Sequence, residues 1–171
     1  MIKIGWGSSM RVHFIDTSVL VNILDIPGMN QDREMVLNEY EVLILESGNT
    51  FILPLATIIE TGNHIAHIND GSMRRIKGIE FADMLMKIAN DESPWKFFED
   101  EVSQDEIRVI AERLPQSVTY SSGTGDLSII SAFEKYRDNT PAIGYIRIWS
   151  MDSHLQHYEQ EMHMPLTRKK R

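Results

Sequence analysis

The amino-acid sequence predicts a three-layer α/β/α fold, with a central parallel sheet of four or five strands. Three observations predict it. Short apolar runs rich in β-branched and aromatic residues recur along the chain, at 11–15, 50–53, 118–120 and 143–149. Amphipathic helical stretches separate them, and parallel neighbours need such crossover connections. The length, 171 residues, suits one well-buried domain. The chain divides into an N-terminal extension at 1–10, the domain at 11–161 and a basic C-terminal tail at 162–171.

The first strand, Arg11 to Ile15, stops at Asp16-Thr17-Ser18, three good helix N-caps. Val19, Leu20, Ile23 and Leu24 then recur at helical spacing, until Ile26-Pro27-Gly28 breaks the pattern. Gln31 to Glu46 reads as a second helix, with Met35, Val36, Tyr40 and Leu43 on one stripe. A second strand, Thr50 to Leu53, leads through Pro54 into a helix whose apolar face is Leu55, Ile58, Ile59, Gly62, Ile65 and Ala66. Ser72 to Asn90 is a further helix, with Ile76, Ile79, Phe81, Met84, Leu85 and Ile88 as expected buried residues. Asp91 to Asp100 reads as a loop or short strand pinned by Trp95, Phe97 and Phe98. Ser103 and Glu106 form a capping-box pattern for a helix that Pro115 is expected to stop. A weak strand at Val118 to Tyr120, a turn at Ser121 to Gly125 and a helix from Asp126 to Tyr136 follow. The last strand, Ile143 to Trp149, ends at Ser150-Met151-Asp152, and Ser153 to Glu161 reads as helical.

Composition removes several classes of function. No apolar run approaches the ~20 residues that cross a bilayer, so no membrane role is expected. Met1 to Met10 is too short and too Gly/Ser-rich for a signal peptide. The absence of cysteine excludes disulfides, thiolate metal sites and thiol catalysis, and agrees with a cytoplasmic protein. With 25 acidic against 17 basic residues, the chain is not a general polyanion binder, so any contact with nucleic acid must be local and cation-assisted.

Four acids carry the chemistry. Ligands of parallel sheets bind at the carboxyl ends of the strands. Asp16 and Asp152 belong to that edge, Asp126 starts the helix after the weak third strand, and Glu60 lies one helical turn further in. Taken singly, Asp16, Asp126 and Asp152 are helix caps and Glu60 is a solvated helix residue. Taken together, they would repel one another unless a cation neutralised them. A hard divalent ion, Mg²⁺ or Mn²⁺, matches an oxygen-only donor set and leaves positions for phosphate oxygens.

The same residues resemble a family. Phe14-Ile15-Asp16-Thr17-Ser18-Val19-Leu20 resembles the first motif of PIN-domain ribonucleases. Glu60 is similar to the second acid, Asp126-Leu127-Ser128-Ile129-Ile130-Ser131-Ala132 to the third motif and Ser150-Met151-Asp152 to the fourth, in the family's order from about residue 11 to 158. The resemblance implies a PIN-like fold and metal-dependent hydrolysis of RNA, as in the toxins of toxin–antitoxin pairs, with an antitoxin protein as partner and a homodimer as assembly. It implies that Asp16, Asp126 and Asp152 hold Mg²⁺ or Mn²⁺, that Glu60 binds the ion or orients the attacking water, and that Ser18, Ser150 and Asn22 support the ligands. The stretches 72–114 and 126–152 are longer than compact toxin-type members need.

Other readings of these residues are weaker. A haloacid-dehalogenase-type phosphotransferase wants Asp where this chain has Ser18, and a von Willebrand A-type adhesion site wants Ser where it has Leu20. His64 and His67, and His154 and His157, lack the His-Glu-x-x-His form of a zinc hydrolase and read as surface residues, with His154 close enough to Asp152 to touch substrate. Arg74, Arg75, Lys77 and Arg147 are the candidate RNA contacts, and Arg168-Lys169-Lys170-Arg171 an accessory one. A non-catalytic module binding RNA or a partner protein, and a nuclease acting on DNA, are the competing functions.

Overall fold

The computed structural model describes residues 10–162. Residues 1–9 of the extension and the basic run Arg168 to Arg171 lie outside the described residues, and the last residue of the extension, Met10, opens the first strand. The elements run β1 (Met10–Ile15), α1 (Thr17–Ile23), α2 (Arg33–Leu45), β2 (Asn49–Ile52), α3 (Leu55–Ala66), α4 (Gly71–Ala89), β3 (Trp95–Lys96), α5 (Gln104–Ser117), α6 (Thr124–Asn139), β4 (Ile143–Trp149) and β5 (Glu159–Glu161). The strands form one sheet in the order β3-β2-β1-β4-β5, parallel except for the β5 edge. The fold class is therefore the expected one, a mostly parallel sheet with helices on both faces.

Period-two alternation sends the strand side chains to two cores. Val12, Phe14, Ile52, Ile146 and Ile148 pack with Ile129, Ile130 and Phe133 of α6. Ile15, Phe51, Leu53 and Trp149 pack on the other face with residues of α1 to α4, among them Val36, Ile65, Phe81 and Ile88. Strand β1 lies between β2 and β4, and its residues from Val12 to Ile15 are fully buried, including His13. The His13 imidazole stacks on Phe51 at 5.4 Å, and its two nitrogens meet Asn49 Oδ1 at 2.8 Å and Arg147 Nε at 2.9 Å.

Several local expectations fail, each for a physical reason. Val118 to Tyr120 is a 3₁₀ turn, not a strand; Val118 and Tyr120 are exposed, so a strand there would bury nothing. Pro115 lies inside α5, two residues before its end, where losing one amide donor interrupts little. Ser153 to Glu161 is turns followed by β5, because Leu155 is drawn into the core and Ile148 N donates to Tyr158 O at 2.8 Å, leading the chain into antiparallel pairing. In α4, Ile76 and Ile79 are about half exposed. At 100° per residue, Phe81, Met84, Leu85 and Ile88 share an arc of about 100°, whereas Ile76 and Ile79 lie roughly 140–160° from Phe81. In α3 the buried stripe is Thr57, Thr61 and Ile65, and Leu55 and Ile59 face outward. Thr57 is inside because its hydroxyl donates to Ile15 O at 2.8 Å, where α3 crosses the end of β1.

Candidate active site

Asp16 and Asp152 follow the carboxyl ends of β1 and β4, and Glu60 lies on the helix after β2. Asp16 follows β1 directly and is the N-cap of α1. Its side chain is buried, and one oxygen receives every hydrogen bond: Oδ2 accepts from Ser18 N at 3.3 Å, Ser18 Oγ at 2.5 Å and Ser150 Oγ at 2.8 Å. Each serine hydroxyl has one hydrogen, and both are committed to Asp16. The hydroxyl oxygens act as acceptors in turn, Ser18 Oγ from Met151 N and Ser150 Oγ from Asp152 N, each at 2.9 Å. Two serines thus tie the turn after β4 to the start of α1. Among the described residues nothing donates to Asp16 Oδ1, which leaves that oxygen available to a ligand.

Glu60 reaches the same place from α3. The start of that helix is anchored by Glu101, whose Oε2 accepts from Leu55 N at 2.8 Å; burial pushes the Glu101 carboxyl above its ordinary value, and its Oε1 is buried with no partner. One and a half turns on, Glu60 Oε2 accepts from Thr17 Oγ1 at 2.7 Å, and Glu60 Oε1 sits against Gly125. A cleft of about 250 Å³ opens beside it, lined in part by Leu55, Ile59, Glu60 and Gly125.

Asp126 is in the first turn of α6, where a carboxylate is favoured by the free amides of the helix start. Its Oδ2 accepts from Ser122 Oγ at 3.0 Å and Gly123 N at 3.3 Å. His154 stands between Asp126 and Asp152, with Nε2 at 3.2 Å from Asp126 Oδ2 and Nδ1 at 3.8 Å from Asp152 Oδ1. Asp152 is the most open of the four acids, with two-thirds of its side chain exposed.

Contacts and chain neighbours together link the four acids: Thr17, next to Asp16, bonds Glu60, which sits against Gly125, next to Asp126, while His154 lies by Asp126 and Asp152, and Ser150 Oγ joins Asp152 N to Asp16. Oxygen donors of this kind suit a hard divalent cation. Among the described residues no three His, Asp or Glu side chains close into a ready-made cage. Mg²⁺ keeps several waters and needs only one or two carboxylates from the protein, so the donor set fits such an ion without one.

The other candidates divide. Asn22 is buried, but its amide works within the scaffold: Nδ2 donates to Ser18 O at 2.7 Å and Oδ1 accepts from Asp32 N at 3.0 Å. Arg147 is committed to His13 and, at 2.6 Å, to Glu39, and its guanidinium lies 5.0 Å over the Trp149 ring. Arg74 donates to Ile68 O at 2.9 Å, and Lys77 pairs with Glu80 at 2.8 Å. Arg74, Arg75 and Lys77 belong to the first two turns of α4, and the bonds of Arg74 and Lys77 are to that helix and the loop before it. Thr17, Gly125 and Glu101 were missed as site residues: Thr17 reads as one more cap, and no local pattern marks Gly125 or Glu101.

No family model and no curated protein matches the chain. Among solved structures it is similar to the crystal structure of VapBC2 from Rickettsia felis bound to a DNA fragment from their promoter. The identity is 15%, the match covers 81% of this chain and 99% of that one, and the TM-score is 0.48. A likeness this distant transfers neither an activity nor a partner.

Proposed function

We propose that this chain is a metal-dependent endoribonuclease that hydrolyses RNA phosphodiester bonds, and the toxin of a toxin–antitoxin pair. One observation supports the hydrolytic reading: four acids distant in sequence are linked through the side chains of Thr17, His154 and Ser150 and the close approach of Glu60 to Gly125. The choice of RNA, of a protein antitoxin as partner and of a homodimer as assembly rests on the motif resemblance to PIN-domain ribonucleases.

When bound, Mg²⁺ or Mn²⁺ neutralises phosphate charge and lowers the pKa of the attacking water. Asp16, through its free Oδ1, and Asp126 are the proposed principal ligands, with Asp152 contributing from the rim. Ser18 and Ser150 fix the Asp16 carboxylate, and outer contacts of this kind are worth roughly 10–100-fold in affinity or activity. In this reading Glu60, held by Thr17, orients the attacking water, and His154, beside Asp126 and Asp152, is the proposed contact for substrate.

The test incubates purified protein with structured RNA, unstructured RNA and DNA, in Mn²⁺ or in EDTA, beside Asp16→Asn. The expected result is RNA cleavage that EDTA abolishes and that Asp16→Asn lowers by more than the roughly 10–100-fold that loss of an outer-shell partner costs. Cleavage that survives both chelation and the substitution sinks the assignment; cleavage of DNA alone moves the target. The open arrangement of the acids favours one competitor, a non-catalytic module that binds RNA or a protein. Calorimetric titration separates the two, since a module binds no divalent ion at millimolar concentration.

A further inference from the structure

We propose that Gly125 admits Glu60 to the acid cluster, and that Thr17 and Gly125 together form the positioning pair for its carboxylate. The catalytic consequence rests on the nuclease reading above, whereas the positioning rests on geometry alone.

Thr17, buried at the start of α1, holds one carboxylate oxygen, Oε2, at 2.7 Å. The other oxygen lies against the Gly125 backbone. A Cβ at position 125 would stand 2.2 Å from Glu60 Oε1 and 3.3 Å from its Cδ, and real Cβ atoms essentially never come under 3.0 Å. Any side chain there must displace the carboxylate.

The backbone gives no reason for a glycine at this place. Gly125 lies in the first turn of α6, and among the described residues the positive-φ glycines are Gly28 and Gly48. Glycine is a poorer helix residue than alanine, so at 125 it weakens the helix without easing any strained conformation. Space is what remains. The space lets Glu60 rest on the first turn of α6, whose amides and dipole favour an anion, one residue from Asp126. Thr17 thus holds one oxygen of Glu60, and the bare backbone of Gly125 makes room for the other.

The test is a stability cycle on the metal-free full chain, read as the urea midpoint. Thr17→Val is expected to lower the midpoint in the wild-type background and to leave it unchanged beside Gly125→Ala, because the displaced carboxylate no longer reaches Thr17. Equal cost in both backgrounds overturns the proposal. Gly125→Ala alone is expected to keep or raise the midpoint. Should it lower it, adding Glu60→Ala restores the midpoint if the methyl and the carboxylate compete for space; failure to restore it also overturns the proposal. In the cleavage assay, Gly125→Ala is expected to lower kcat about tenfold or more with KM little changed, as for loss of an outer-shell contact. Glu60→Asp, one methylene shorter, recovers part of that loss only beside Gly125→Ala. A wild type inactive on every nucleic acid defeats the nuclease reading, and the midpoint cycle still decides the positioning.

Discussion

His13 makes a quantitative test of the sheet interior. Arg147 Nε points at His13 Nδ1 at 2.9 Å, and an arginine can only donate, so Nδ1 carries no proton. The hydrogen is therefore on Nε2 and is donated to Asn49 Oδ1 at 2.8 Å. A second proton would set two donors and two positive charges face to face at a position that solvent does not reach. Burial first, then the Arg147 and Arg11 charges, depress the pKa from 6.5 to about 4, against the opposing Asn49 hydrogen bond. The sign follows: between these values the unfolded chain binds the proton and the folded chain does not, so stability falls as pH drops from 6.5 towards 4 and levels off below. At about 1.4 kcal/mol per tenfold change in proton affinity, the loss is about 3 kcal/mol. His13→Gln, which keeps a donor for Asn49 and an acceptor for Arg147, removes this term. Urea unfolding of both proteins between pH 7.5 and 4 measures it, because the carboxylates titrate alike in the two. With an m-value of about 1–3 kcal/mol/M, the wild-type midpoint should fall by at least about 1 M more than that of the variant. Parallel curves refute the tautomer and the pKa.

Two further outcomes are expected. Ser150→Ala removes the 2.8 Å donor to Asp16 and the acceptor of Asp152 N; it should cost about 1.5–3 kcal/mol in urea unfolding, the range for a hydrogen bond to a charged group, and weaken Mn²⁺ binding by calorimetry. An unchanged midpoint counts against the serine clamp. Glu101→Gln preserves an acceptor for Leu55 N and removes a carboxyl that burial raises above 4.5. A raised folded-state pKa gives stability present below 4.5 and lost as pH rises through the folded value. The variant should therefore be more stable than wild type at pH 7, with the advantage shrinking towards pH 4.5. A variant less stable at pH 7 refutes that account.

The fold was legible where burial and period agree. Strand β1 reads as Val12, Phe14 and Ile15, and the sheet buries both its faces, so the hydrophobic run and the structure have one cause. Legibility failed where apolar residues serve no core. Leu55 and Ile59 mark an apolar face by periodicity, but α3 turns Thr57 and Thr61 inward, because the carbonyl of Ile15 needs a donor that isoleucine cannot supply. At Val118 to Tyr120 the local β preference yields to a 3₁₀ turn whose Val118 and Tyr120 are exposed. At Glu159 to Glu161 the reverse holds, and a charged segment with no strand signature pairs because β4 offers it an open edge.

Asp16 and Asp152 were expected at the sheet edge because each follows a strand end, and there they stand, after β1 and β4, whereas the strand expected before Asp126 is a 3₁₀ turn. Glu60 is different, since it sits one and a half turns into a helix and must reach across to α6. What holds it depends on two residues distant from it in sequence: Thr17, whose role as a donor is hidden inside an N-cap motif, and Gly125, whose contribution is an absent side chain. No pattern in one sequence separates a glycine that gives room from one that ends a turn, and Gly125 follows a Ser/Gly segment that reads as the latter. The long-range pairing of Glu60 with α6 is what distinguishes the two, since without it an alanine at 125 would be the better helix residue.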